Sequence, residues 1–199
     1  MKSHGKISVT DTVEAYNTVT NTCAIVGKLV HGVRSSVNCV PFRSSLYKLI
    51  FGRKDKDDNC VSHVQMYDTK PNTSTILSTQ MPRHQRLMLA ALWDTSVILL
   101  GSDTCLIFNF ETETWQERKK FKADATQFAL VRDNERVFIA GGLMKETDKY
   151  GNVERKCRHD VHFVPIRNIL EDKPIEWNIQ RKLPASYLLY IYAKMRFPI

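Results

Sequence analysis

Cys157, His159 and His162 fall close together in Cys157-Arg-His159-Asp-Val-His162 and carry the sulfur and imidazole donors that hold zinc or copper. Their spacing argues against a chelate. Side chains alternate along a strand, so Cys157 and His159 share one face while His162 points to the other. The segment reads as an edge-strand loop, and no metal or cofactor is expected. Arg34, Arg83, His84 and Arg86 bear on recognition instead. A guanidinium donates paired hydrogen bonds to a carboxylate, so these four are the candidate partner-binding residues, for a protein partner of acidic character. A second reading keeps the arginines as structural donors to turn carbonyls. No residues nominate a reaction: there is no Gly-rich phosphate loop, no Gly-x-Ser-x-Gly elbow and no zinc-knuckle cysteine pair. Asp57-Asp58 reads as an exposed loop without the ordered ligand series that calcium needs. The expectation is a protein that is not an enzyme.

Bulk properties narrow the partners. At 199 residues the chain is long enough for one sizeable core, and its 43% hydrophobic and 25% charged content is that of an ordinary globular protein. The longest apolar run, Leu87 to Leu100, is broken by Asp94, so no membrane association is expected. Met1-Lys-Ser-His-Gly-Lys6 leads into no apolar stretch, which points to a cytoplasmic protein. The five cysteines (Cys23, Cys39, Cys60, Cys105, Cys157) are odd in number and widely spaced, as for reduced thiols. A net charge of +8 raises the question of nucleic acid. The basic residues are scattered, however, and the short cluster Arg118-Lys119-Lys120-Lys122 fits a solvated face better than a binding stripe.

The elements that must position these residues are strands. Leu46–Phe51, Val97–Leu100 and Arg136–Ala140 are short, rich in β-branched and aromatic residues, and bounded by turn residues. Trp93-Asp-Thr-Ser96 and Arg132-Asp-Asn-Glu-Arg136 join neighbouring runs as tight turns. Asn168–Pro174 reads as a longer loop with room for one helical turn.

Four segments also share a register. Anchored at Cys23, Thr75, Trp115 and Trp177, each has a large apolar residue six positions on: Leu29, Met81, Phe121 and Leu183. An aromatic residue precedes each anchor, at Tyr16, Tyr67, Phe108 and Phe163. Strand-ending glycines follow the first three, at Gly52, Gly101 and Gly141. The anchors are 52, 40 and 62 residues apart, around the repeat of about 50 found in propeller blades.

In these features the chain resembles kelch repeats. Val137-Phe-Ile-Ala-Gly141-Gly142 matches the strand and diglycine of that motif, and Tyr16-Asn17, Tyr67-Asp68 and Phe108-Asn109 match its aromatic–polar pair. Trp115 and Trp177 match its tryptophan, Met81-Pro82 and Leu183-Pro184 its turn, and Arg34 and Arg86 its arginine. Cys23 and Thr75 depart from it, as do Gly52-Arg53 and Gly101-Ser102. The resemblance implies an all-β, kelch-type β-propeller with about three complete four-stranded blades and two partial ones in an incomplete ring. The expected divisions are 7–35 for a partial blade, 36–85, 86–124 and 125–184 for whole blades, and 185–199 for the start of another. The chain is then a piece or short form of a longer protein, unless its two ends share one blade and close a ring of four.

For function, the resemblance implies a non-catalytic interaction module: the substrate-recognition propeller of a BTB-kelch adaptor for a cullin-RING ubiquitin ligase. The ligase would be reached only through BTB and BACK domains absent from this chain. The alternative is a cytoskeletal, actin-associated or scaffold kelch protein. Kelch-like rings in copper oxidases are a third class, disfavoured by the spacing of Cys157, His159 and His162.

Overall fold

The computed structural model describes residues 9–33, 38–43, 47–51, 53–54, 60–83, 89–118, 125–126, 128–173 and 176–182. These residues form an all-β protein with one short helix, and the backbone divides into two compact units. The first comprises residues 1–99 and 106–116, the second 100–105 and 117–199.

The first unit opens with a hairpin of β1 (Thr10–Asn17) and β2 (Thr22–Val33). Next come β3 (Asn38–Phe42), β4 (Tyr47–Phe51), β5 (Arg53–Lys54), β6 (Cys60–Val61), β7 (His63–Asp68) and β8 (Thr73–Gln80). Four of these make an antiparallel sheet in the order β3-β4-β7-β8, while β5 and β6 pair as an inserted hairpin. A second four-stranded sheet follows, with β9 (Leu89–Trp93), β10 (Ser96–Leu100), β11 (Cys105–Asn109) and β12 (Thr114–Arg118) in chain order; the ends of its last three strands count to the second unit. Each sheet is a meander in which each strand turns back beside its predecessor, which short tight turns permit.

Side-chain alternation places the core between faces. Val40, Leu49, Phe51 and Val64 of the first four-stranded sheet pack against Val97, Leu99, Leu106 and Phe108 of the second. Trp115 leans on this cluster, with its ring 4.6 Å from Phe108 and its indole N–H donating to Thr79 Oγ1 at 3.0 Å. The other face of the first four-stranded sheet carries Ile50 and Tyr67, which meet Leu29, Val13 and Val33 of the β1–β2 hairpin. Gly27 makes this approach possible: a Cβ there would lie 2.3 Å from the Tyr67 hydroxyl. Gln65 is fully buried between the same two layers, and its amide accepts from His31 N (2.9 Å) and donates to His31 O (3.1 Å). It replaces the partners that the β2 backbone lacks on that side.

The turn after each aromatic–polar pair repeats in three copies. Asn17, Asp68 and Asn109 accept hydrogen bonds from the backbone N–H two residues on, at 2.9, 2.9 and 3.0 Å. Asn21, Asn72 and Glu113 then take left-handed φ of 55°, 55° and 51°. Such side-chain caps and left-handed residues are what short hairpin loops require. Tyr16 and Tyr67 donate through their hydroxyls to Asn21 and Asn72.

Pairing within the sheets corrects the register at two places. Tyr16 stands opposite Cys23, but Tyr67 stands opposite Ser74, so Ser74 and not Thr75 holds the anchor position. The cause is a bulge. Opposite the step from Gln65 to His63, β8 runs from Ile76 to Gln80, two residues more than a regular ladder. Opposite Glu14–Val13, β2 runs from Ile25 to Gly27, only one more.

The second unit holds β13 (Ala129–Arg132), β14 (Arg136–Ala140), β15 (Leu143–Thr147), β16 (Val153–Cys157), β17 (Asp160–Pro165), the helix α1 (Ile166–Leu170) and β18 (Asn178–Lys182). Its main sheet has the order β13-β14-β17-β18, and β15 pairs with β16 as a separate hairpin. Val137, Ile139 and Val164 are fully buried, as are Ile166 and Ile169 on one side of α1. Phe163 stands opposite Asn178, which puts Val164 opposite Trp177. The aromatic position of this copy is therefore taken by Val164, and Phe163 lies on the other face. Arg118 caps the helix by donating to the Leu170 carbonyl.

Candidate functional site

Of the four candidate partner-binding residues, Arg34, His84 and Arg86 lie outside the described residues, as do Gly52, Phe121, Leu183 and Asp57-Asp58. Arg83 is exposed in the bend after Met81-Pro82. The Cys157–His162 segment is described and is not one strand: β16 ends at Cys157 and β17 begins at Asp160. His159 is exposed between them, and His162 sits largely buried on β17. Among the described residues no group of three or more His, Cys, Asp or Glu side chains is placed to hold a metal ion. The four described cysteines, Cys23, Cys39, Cys105 and Cys157, are free thiols. Burial pushes the Cys105 thiol up to about 12, with Arg118 opposing the shift, so it is an inert core group.

What the structure builds at this segment is a projecting arm. Between Gly142 and Arg158 the chain leaves the sheet as the β15–β16 hairpin, with register pairs Lys145–Arg155, Glu146–Glu154 and Thr147–Val153. Its tip is Asp148-Lys-Tyr-Gly-Asn152. The Asp148 carboxylate accepts from the backbone N–H groups of Tyr150 and Asn152, both at 2.8 Å, and from the Asn152 side-chain amide at 2.9 Å. These bonds, the Asn152 side chain foremost, hold Asp148 below the usual carboxylate range. Gly151 takes φ +86° to complete the turn. The tip presents Tyr150, 76% exposed, with the Lys149 ammonium 4.9 Å from its ring, and Val153, 62% exposed, beside it.

The base of the arm is fixed by backbone and by charge. Thr126 and Leu143 exchange N–H···O bonds of 2.9 and 2.7 Å, and Arg158 N donates to Gly142 O at 2.8 Å. Gly142 has φ +99°, and a Cβ there would sit 2.8 Å from Thr126 O, so only glycine fits this crossing. The Arg158 side chain is 91% buried, with Nε 3.3 Å from Met144 Sδ and 3.6 Å from Asp160 Oδ1. The same carboxylate oxygen lies 2.7 Å from His162 Nε2, yet the geometry directs no hydrogen bond between them.

Two matching pairs of backbone bonds show what these polar residues replace. Gly101 N bonds Thr104 O and Phe110 N bonds Thr95 O in the second four-stranded sheet; Gly141 N bonds Asp160 O and Ile166 N bonds Glu135 O in the third. Asp160 thus stands where the other sheet has Thr104, and His162 where it has the fully buried Leu106. Sequence reading missed the arm, although Asp148-Lys-Tyr-Gly-Asn152 between two alternating segments is a hairpin signal.

A second exposed apolar surface lies on the β1–β2 hairpin. Tyr16, which holds the repeat position of the buried Tyr67 and Phe108, is 59% exposed, and Ile25 is 65% exposed.

No protein-family model and no curated protein matches the chain. Its backbone does match solved structures. One, described as "Structure of YjhT", superposes with a TM-score of 0.62 over 82% of this chain and 56% of that chain, at 11% sequence identity. The chain spans little more than half the length of that neighbour. A likeness at this identity shows a shared fold and leaves function to be argued from the site.

Proposed function

We propose that the chain is a kelch-type propeller segment that works as a non-catalytic, cytoplasmic protein-interaction module. Within that reading it is the recognition part of a BTB-kelch adaptor for a cullin-RING ubiquitin ligase. Support for the propeller comes from the chain-ordered four-stranded meanders, the repeated aromatic–polar turns and the Gly141-Gly142 strand end. One observation carries the interaction role: a hairpin arm, its tip closed by the Asp148 carboxylate, that holds Tyr150 and Val153 in solvent. An exposed aromatic on a fixed scaffold offers contact area at low entropic cost, as the central residues of interfaces do. The alternative is a cytoskeletal or scaffold role.

The test is affinity capture of the full natural product from its own cells, alongside co-sedimentation of the purified chain with actin filaments. Cullin and RING subunits in the capture support the adaptor reading. Sedimentation with filaments and no ligase subunits favours the alternative. Capture of no polypeptide by either route overturns the interaction module.

A further inference from the structure

The β15–β16 arm carries two rows of like charge, one acidic and one basic. Glu146 and Glu154 stand opposite each other on one face, where Lys156 reaches Glu146 in an ion pair. Hydrogen bonding and the charge of Glu146 hold the Lys156 ammonium above its usual range. On the other face the backbone sets Lys145 opposite position 155, an arginine, with Thr147 and Val153 next in the same row. Among the described residues no carboxylate lies within ion-pair distance of Lys145. Like charges directly across a ladder destabilise a hairpin, so a carboxylate brought to Lys145 from outside the arm would relieve the pair of basic positions. Beyond that row lie Val153, Tyr150 and Lys149, in a tip already fixed by Asp148. The second four-stranded sheet, which passes from β10 to β11 through Ser102-Asp103, has nothing comparable.

We infer that the β15–β16 hairpin is a docking arm for an acidic, extended segment of another protein, whose carboxylates meet the Lys145 row and whose apolar side chains cover Tyr150 and Val153. The inference rests on the interaction-module reading and names its partner chemistry. A basic row beside exposed apolar groups favours a chain that alternates carboxylates with apolar residues, since both terms are then met along one strand. Because the tip is held by its own hydrogen bonds, docking orders little of the arm.

The probes are a fluorescein-labelled peptide of alternating Glu and Leu and its counterpart with Lys for every Glu, titrated with the full chain in fluorescence anisotropy. The acidic peptide is expected to bind at least about tenfold tighter than the basic one, and more weakly as salt is raised. Lys145→Glu and Tyr150→Ala should each weaken it by about tenfold or more, with circular dichroism and melting temperature unchanged. Glu154→Gln, on the opposite face, should leave it within about twofold. Equal binding of the two peptides overturns the inference, as does unchanged affinity in folded Lys145→Glu and Tyr150→Ala. Should those two variants still capture the cellular partners of the wild-type chain in full, the arm is not the docking site while the interaction module stands. If the wild-type chain captures none, the module itself fails.

Discussion

Between Gly101 and Thr104 the second four-stranded sheet turns from β10 to β11 through Ser102-Asp103 alone, whereas between Gly141 and Asp160 the third sends out a whole hairpin before β17 begins. The flanking hydrogen bonds are the same in both. The residues just after the connection are not: Thr104 and Leu106 in one become Asp160 and His162 in the other. An inserted hairpin has to be held at its base, and here a buried arginine, its carboxylate partner and a glycine crossing hold it. The comparison teaches that one register tolerates either an apolar turn or a charged, arm-bearing one, and that polar residues enter the interior where the arm is rooted.

The largest effect is expected from forcing the polar solution onto the apolar sheet. Leu106→His should cost roughly 4 kcal/mol in urea melts, since it removes a fully buried leucine and leaves ring nitrogens without partners. Trp115→Ala should cost about 3 kcal/mol by opening the space beside Phe51 and Phe108. A Trp115→Ala variant as stable as the parent would break the packing account of the first unit. The reverse exchange, His162→Leu, should raise stability by about 1 kcal/mol, because a largely buried imidazole whose Nε2 touches Asp160 without an aligned hydrogen bond gives way to an apolar side chain and the Arg158–Asp160 pair survives.

These opposite signs bear on how much the sequence reveals. The strands, the tight turns at Asp94 and Asp133 and the Gly141-Gly142 strand end are legible because period-two alternation and turn chemistry are local. The anchor at Ser74 was hidden because a bulge in β8 adds residues without changing the hydrophobic pattern on either side. Phe163 matches the upstream aromatic of the other copies by residue type, while pairing gives that place to the buried Val164. The spacing of 62 residues between Trp115 and Trp177, against 40 for the preceding interval, already announces an insertion. Arg158, Asp160 and His162 alternate along one segment, so their common face is local; that this charged face turns inward at the base of the arm is what the sequence does not show.

The smallest effect concerns the tip. Asp148 is held below its ordinary value of 3.8 by the Asn152 side chain and by backbone N–H groups, so its folded pKa lies under its unfolded one. Its stabilisation is therefore complete above the ordinary value and is lost as pH falls through the lowered one. Proton NMR should show the Asp148–Tyr150 contacts unchanged from pH 7 to about pH 5 and fading only below the ordinary carboxylate range. Fading at neutral pH would mean that the tip is not held by this carboxylate.

The most direct test of the shared register is to give the third sheet the connection of the second. Residues 141–162 are replaced by Gly-Ser-Asp-Thr-Cys-Leu, the sequence of positions 101–106, and the chimera is melted beside the parent. A cooperative, β-rich transition at or above the parent temperature is predicted, because Thr and Leu then stand where Asp160 and His162 stood and no charge is left buried. A chain that fails to fold, or melts without cooperativity, would contradict the claim that the two sheets share one register and differ by an arm.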